Sequence, residues 1–146
     1  VCEYICSLTK GNAFSAQKSR IRTMRLHPLI NISVACRLCS PAPCVTACPR
    51  DALKQSEQTG VIMIDDEKCD GCSWCIEACD YGAITLHPEK KVVRICDICE
   101  GDPKCVKWCP DEALDFTTKD VLAQKARIAV TKKLFKEAME AQGIKS

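Results

Sequence analysis

Aromatic residues make up only 5% of this 146-residue chain, which also has just two histidines. So few large rings leave a thin apolar core, and small domains of that kind need a covalent or metal staple to offset lost chain entropy. No apolar run approaches the roughly 18 residues of a membrane helix, and "SRIRTMR" lacks a twin-arginine pair; a reducing, cytoplasmic setting is the expectation. Also missing are a glycine-rich phosphate loop, a dinucleotide fingerprint, a nucleophile constellation and any C-x3-C-x2-C run. Their absence turns the reading away from nucleotide-dependent, hydrolytic and radical enzymes. His27 and His87 each precede proline and are read as turn or surface residues rather than ligands. Acid is missing from one long stretch: between Glu3 and Asp51 stand Lys10, Lys18, Arg20, Arg22, Arg25, Arg37 and Arg50 with no carboxylate among them. Such a stretch suits an acidic partner or nucleic acid, but its main expected role is to offset negative charge at metal sites.

What the chain has in abundance is cysteine, 14 residues in all. That density occurs in disulfide scaffolds, yet the cysteines fall in blocks of four at x2 and x3 spacings, which is metal-site arithmetic. The full blocks are Cys36, Cys39, Cys44, Cys48; Cys69, Cys72, Cys75, Cys79; and Cys96, Cys99, Cys105, Cys109. Each ends in a C-[PD]-x-x-A-[IL] repeat: "CPRDAL", "CDYGAI" and "CPDEAL". Cys2 and Cys6 are left over, spaced like the third and fourth members of a block. Short β-type runs lead into the blocks ("INISV", "VIMI", "VVRI"), and two hairpins are expected. One runs through Leu53 to Ile64 with a turn at Thr59-Gly60; the other joins "AITL" to "KVVRI" across His87-Pro88-Glu89-Lys90. The unit is strand, cysteine loop, short helix, strand.

From Thr117 and Asp120 the pattern becomes helical and runs to Gly143 without glycine or proline. Val121, Ile128 and Phe135 recur every seven residues, with Leu122, Ala129, Leu134, Ala138 and Met139 widening an apolar face opposite Lys125, Arg127, Lys132, Lys133 and Lys136. Such a helix is read either as packed on its own domain or as docked on a partner subunit.

Cys69-x2-Cys72-x2-Cys75-x3-Cys79 is the bacterial ferredoxin run, in which three cysteines hold one [4Fe-4S] cluster and the fourth reaches a neighbouring cluster. The other full blocks differ only by a longer middle gap. Zinc prefers pairs of ligands separated by a dozen or more residues, so a zinc-stabilised interaction module, using the basic stretch for nucleic acid, is the competing reading from another class. Each cluster would add about −2 to the formal net charge, making the loaded protein acidic. Trp74, Tyr81, Trp108 and Tyr4 flank ligand cysteines and are read as water-excluding shields. Asp80 stands where proline follows the fourth cysteine of the other full blocks. A carboxylate there disfavours the reduced state, giving the cluster ligated by Cys79 a lower potential; the plainer reading is a solvated helix cap.

"CEYICSL", "SRIR" and the three cysteine blocks together resemble the four-cluster ferredoxin subunits of the dimethyl-sulfoxide-reductase B-subunit type, over residues 1 to about 116. Within that family the chain looks most like the small subunits of bacterial tungsten aldehyde oxidoreductase complexes. The resemblance implies an α+β fold: tandem bacterial dicluster-ferredoxin-like modules with short hairpins and short helices, plus a long C-terminal helix. The domains expected are 1–116, a polycluster domain (inner module about 31–90, outer module 1–30 with 91–116), and 117–146, a docking helix. The function implied is electron transfer, without catalysis, between a tungsten or molybdenum oxidoreductase subunit and another carrier. A flavin- or NAD-linked subunit and a second copy of the chain are further candidate partners; nucleic acid and a membrane span are not expected. A free-standing polyferredoxin shuttle is the alternative within the same chemistry.

The resemblance also implies nested pairing of the blocks. Cys36, Cys39, Cys44 and Cys79 would share one cluster, Cys69, Cys72, Cys75 and Cys48 a second, and Cys96, Cys99, Cys105 and Cys6 a third. Cys2 and Cys109 would serve a fourth, whose other two cysteines are expected just upstream of Val1. Sequential pairing, first block with second and third with fourth, is equally compatible with the chain length.

Overall fold

A computed structural model describes residues 1–141, so the helix end expected at Gly143 lies outside the described residues. The chain divides into two units, Val1–Leu114 and Asp115–Ser146.

The first unit opens with α1 (Cys2–Gly11), which places both orphan cysteines on one helix and ends on Asn12 in a left-handed conformation. Strand β1 (Arg22–His27) then pairs antiparallel with β2 (Ile30–Val34), Met24 opposite Ile32. Only β2 was expected; the charged residues of "RTMRLH" hide a strand whose outer half is exposed. The second hairpin joins β3 (Leu53–Gln55) to β4 (Ile62–Ile64), with Lys54 opposite Met63. It returns through Gly60, whose φ of +72° suits the turn without a Cβ penalty. The third joins β5 (Thr85–Leu86) to β6 (Val93–Arg94). His87 holds that turn: its Nδ1 accepts from the amides of Glu89 and Lys90, both at 3.1 Å.

A one-turn helix follows each hairpin: α2 (Pro43–Thr46), α3 (Trp74–Glu77) and α4 (Lys104–Lys107). They occupy the x3 step itself, each carrying the third cysteine of its block. No strand follows the third block among the described residues, so the repeating unit is complete only twice.

The core is assembled from these short pieces. Leu53, Ile62, Ile84, Val93 and Ile95 are each at most 4% exposed and enclose Cys44 and Cys75, with Cys36, Cys48, Cys69 and Cys79 packed around them. Burying a side chain of this size contributes about 1.5–3 kcal/mol, so a handful of aliphatics cannot hold the body alone. Cysteine occupies core positions that larger residues fill elsewhere.

The second unit consists mainly of α5 (Lys119–Ala141). Thr118, one residue later than expected, caps it: its Oγ1 accepts from Val121 N at 3.4 Å. Lys133–Glu137 and Lys136–Glu140 are i,i+4 ion pairs along it. Apolar and charged residues are less sharply segregated around the helix than the Val121, Ile128, Phe135 heptad predicts.

Candidate metal centres

The three full cysteine blocks share two left-handed backbone turns. Two residues after the first cysteine the backbone is left-handed, at Leu38 (φ 51°), Gly71 (φ 71°) and Ile98 (φ 51°), which reverses the chain within the x2 step. Three residues after the fourth cysteine it is left-handed again, at Asp51 (φ 50°), Gly82 (φ 60°) and Glu112 (φ 48°). This second turn aims the amide of the repeat's alanine back at the sulfur. Ala52 N donates to Cys48 Sγ at 3.3 Å, Ala83 N to Cys79 Sγ at 3.4 Å and Ala113 N to Cys109 Sγ at 3.3 Å. A donor on sulfur favours the thiolate, the form that binds metal.

The thiols gather around cavities, and each cavity mixes two blocks. Cys69, Cys72 and Cys75 line one together with Cys48, beside Arg50 and Asp70. Cys36, Cys39 and Cys44 line another with Cys79, beside Arg37, Asp80 and Tyr81. Their electrostatics follow the same grouping. Burial, then the neighbouring Cys48, Cys69 and Cys72, pushes the Cys75 thiol up to about 11. Burial also raises Cys36 and Cys44, and Cys79 adds to both.

In the remaining group burial, with Cys6 and Cys105 contributing, raises Cys96 to about 11; Cys105 is raised by burial and then by Cys6 and Cys99. Cys6 therefore lies beside the Cys96 block, and its Sγ accepts from Arg20 N at 3.2 Å. Cys2 has its sulfur 3.3 Å from Thr23 Oγ1 and 3.7 Å from Ser33 Oγ, and Cys109 meets its own Ala113 amide.

Among the described residues no three His, Cys, Asp or Glu converge closely enough to hold one metal ion. Thiols that ring a void instead of meeting at a point fit a polynuclear core, with an iron near each sulfur, better than a lone zinc. The raised pKa values of Cys36, Cys44, Cys75, Cys96 and Cys105 mean that ligation by these thiols must expel protons, as metal binding to thiols does generally.

One expectation about the surroundings needs correction. Trp74 and Trp108 are 62% and 65% exposed, and Tyr4 and Tyr81 are exposed as well, so the rings do not shield the cysteines from water. Tyr81 instead carries the Arg37 guanidinium 4.9 Å above its ring, a cation–π contact. The acid-free stretch, expected to offset cluster charge, also makes specific bridges to later carboxylates. Lys10 and Arg20 pair with Asp97, Lys18 with Glu89 and Arg50 with Asp70. No sequence pattern announces such pairs, because their members lie far apart along the chain.

Backbone-bonded thiols arranged around cavities define a class, the cysteine-ligated iron–sulfur proteins. A family model for the 4Fe-4S dicluster domain matches residues 29–119, and the chain belongs to that family. It is 40% identical over 115 residues to the aliphatic sulfonate oxidoreductase, polyferredoxin-like subunit of Pyrococcus furiosus, covering 79% of this chain and 66% of that one. It is 33% identical over 135 residues to the uncharacterized ferredoxin-like protein YdhX of Escherichia coli K12, covering 82% and 60%. To the thiosulfate reductase electron transfer subunit PhsB of Salmonella typhi it is 34% identical over 96 residues, covering 61% and 50%. The chain thus spans between half and two thirds of the length of these relatives.

Proposed function

We propose that this chain is an electron-transfer subunit that holds [4Fe-4S] clusters and relays single electrons between a catalytic oxidoreductase subunit and a second redox carrier. The observation that carries the reading is the pair of cavities, each lined by three cysteines of one block and the last cysteine of another. The family and the electron-transfer names borne by relatives support it.

The ligand sets we assign are nested: Cys36, Cys39, Cys44 with Cys79; Cys69, Cys72, Cys75 with Cys48; and Cys96, Cys99, Cys105 with Cys6. Cys2 and Cys109 are assigned to a fourth cluster, which these two thiols alone do not complete. Bound clusters would supply one-electron redox chemistry and nothing more. The chain's own residues hold them: thiolates ligate, the alanine amides donate to the fourth sulfurs, and the aliphatic core closes over Cys44 and Cys75. Two inner clusters joined through the x3 turns of α2 and α3 form one module, and the N-terminal helix with the Cys96 block forms the outer one.

The resemblance to B-type subunits supports a molybdenum or tungsten enzyme as the catalytic partner, with the tungsten aldehyde oxidoreductase type as its narrowest form. A flavin- or NAD-linked subunit, or a second copy of the chain, is the proposed counterpart at the other end, and residues 117–146 form the proposed docking helix. The setting proposed is cytoplasmic, in keeping with fourteen free cysteines. No described helix is long and apolar enough to cross a membrane.

An anaerobic crystal structure with iron anomalous maps tests the assignment. Cys79 bonded to the cluster held by Cys36 is the expected result; Cys79 bonded to the cluster held by Cys96 overturns it. Co-purification from the native source tests the subunit role. A complex lost on deleting residues 117–146 is expected, whereas a chain isolated without partners favours a free-standing shuttle.

A further inference from the structure

If Cys6 completes the Cys96 block, something must bring a helix near the start of the chain to a loop far along it and hold it in register. Asp97 lies inside that loop, between Cys96 and Cys99, and its carboxylate is the meeting point of three segments. Oδ1 accepts from Cys99 N at 3.1 Å, which fixes the loop itself. Oδ2 receives Lys10 Nζ at 2.8 Å and Arg20 Nη1 at 2.6 Å. Lys10 stands one helical turn after Cys6 on α1 and so shares its face. Arg20 acts twice, since its backbone amide donates to Cys6 Sγ at 3.2 Å while its guanidinium grips Asp97. The connections form a closed ring: Cys6 to Arg20, Arg20 to Asp97, Asp97 to Lys10, and Lys10 back to Cys6 through the helix. The three charged side chains are only 17%, 19% and 28% exposed. Partial burial of this kind makes ion pairs weigh more than surface pairs, and removing one member costly.

We infer that Asp97 is the positioning residue of the outer module, clamping the N-terminal helix onto the Cys96–Cys99 loop so that Cys6 is presented to the metal centre held there. The inference rests on the ligand assignment proposed above. It carries an electrostatic corollary. Two cations facing one carboxylate leave a net positive charge beside the centre, which favours the more negative, reduced state of a cluster.

Redox titration of the whole chain, purified anaerobically and followed by electron paramagnetic resonance, tests the clamp alongside iron and sulfide counts. Cys6→Ser identifies the signal of the outer cluster, which it abolishes. Asp97→Ala is expected to lose that same signal, with one cluster's worth of iron and sulfide and no change in the others. Asp97→Glu, which keeps the carboxylate, is expected to retain it. Asp97→Asn keeps an oxygen for Cys99 N but turns an amide NH2 toward Lys10 and Arg20, so it frees the helix while leaving the loop bonded and should lose the same signal. Should Asp97→Ala fail to fold, the iron and sulfide content of Asp97→Asn decides, because that variant leaves the loop's own hydrogen bond in place. Full iron in Asp97→Ala or in Asp97→Asn overturns the clamp while leaving the ligand assignment intact. A Cys6→Ser protein that keeps every signal refutes the assignment, and the inference with it.

Discussion

Gly71 and Gly82 both sit in left-handed turns of the second cysteine block, yet the structure predicts very different outcomes on adding one methyl group. Both have positive φ, 71° and 60°. Alanine at either site pays roughly 1–2 kcal/mol for the left-handed conformation, offset by about 0.4–1 kcal/mol from a less flexible unfolded chain. At Gly82 nothing lies within 4 Å of the new Cβ, so Gly82→Ala should cost no more than about 1.5 kcal/mol. At Gly71 the Cβ would stand 3.0 Å from Lys91 O and 3.2 Å from Lys91 C, both backbone atoms beside the β5–β6 hairpin. Neither can swing aside as a flexible side chain would, and overpacking of this kind adds about 1–3 kcal/mol. Gly71→Ala should therefore destabilise by about 2–4 kcal/mol and loosen the loop bearing Cys69 and Cys72. Anaerobic urea unfolding of the two loaded variants, followed by visible absorbance, gives the comparison. A Gly82→Ala midpoint as low as that of Gly71→Ala, or lower, refutes the steric reasoning.

Three further outcomes follow from the same geometry. Asp80, exposed at the cavity of Cys36, Cys39, Cys44 and Cys79, adds negative charge there, so Asp80→Asn should raise the potential of one cluster in a redox titration; an unchanged potential means the carboxylate is screened by solvent. Ile95→Ala, at a site 2% exposed in the core around Cys44 and Cys75, should cost about 2–5 kcal/mol by anaerobic denaturation, and a loss under 1 kcal/mol would show that the core collapses onto the void. Stripping iron with a chelator should abolish cooperative unfolding, because folding and metal binding are coupled where the apolar core is this small; a protease-resistant apoprotein would contradict that.

The sequence carried the cysteine blocks and two hairpins openly. Alternation at Leu53 to Ile64 and Ala83 to Ile95, with turn residues at Thr59-Gly60 and His87-Pro88, announced β3–β4 and β5–β6. The alanine of the C-[PD]-x-x-A repeat was visible as a pattern, but its reason, an amide aimed at sulfur from a left-handed turn, needed coordinates. Asp51 and Glu112 gave no hint of positive φ, because only Gly82 advertises that conformation by residue type. Strand β1 was missed because Arg22, Arg25 and His27 break the apolar alternation on an exposed hairpin. The aromatics were misjudged on the assumption that large rings go inside; here the interior is aliphatic and cysteine, and the rings lie outside. The Asp97 clamp joins residues 77 positions apart, a separation at which charge pattern along the chain says nothing.

What the cysteines hold decides whether this protein carries electrons. Anaerobic purification followed by iron, zinc and acid-labile sulfide analysis is predicted to give a brown protein with equal iron and sulfide, in multiples of four per chain, and no zinc. A colourless protein containing zinc and no sulfide would contradict it.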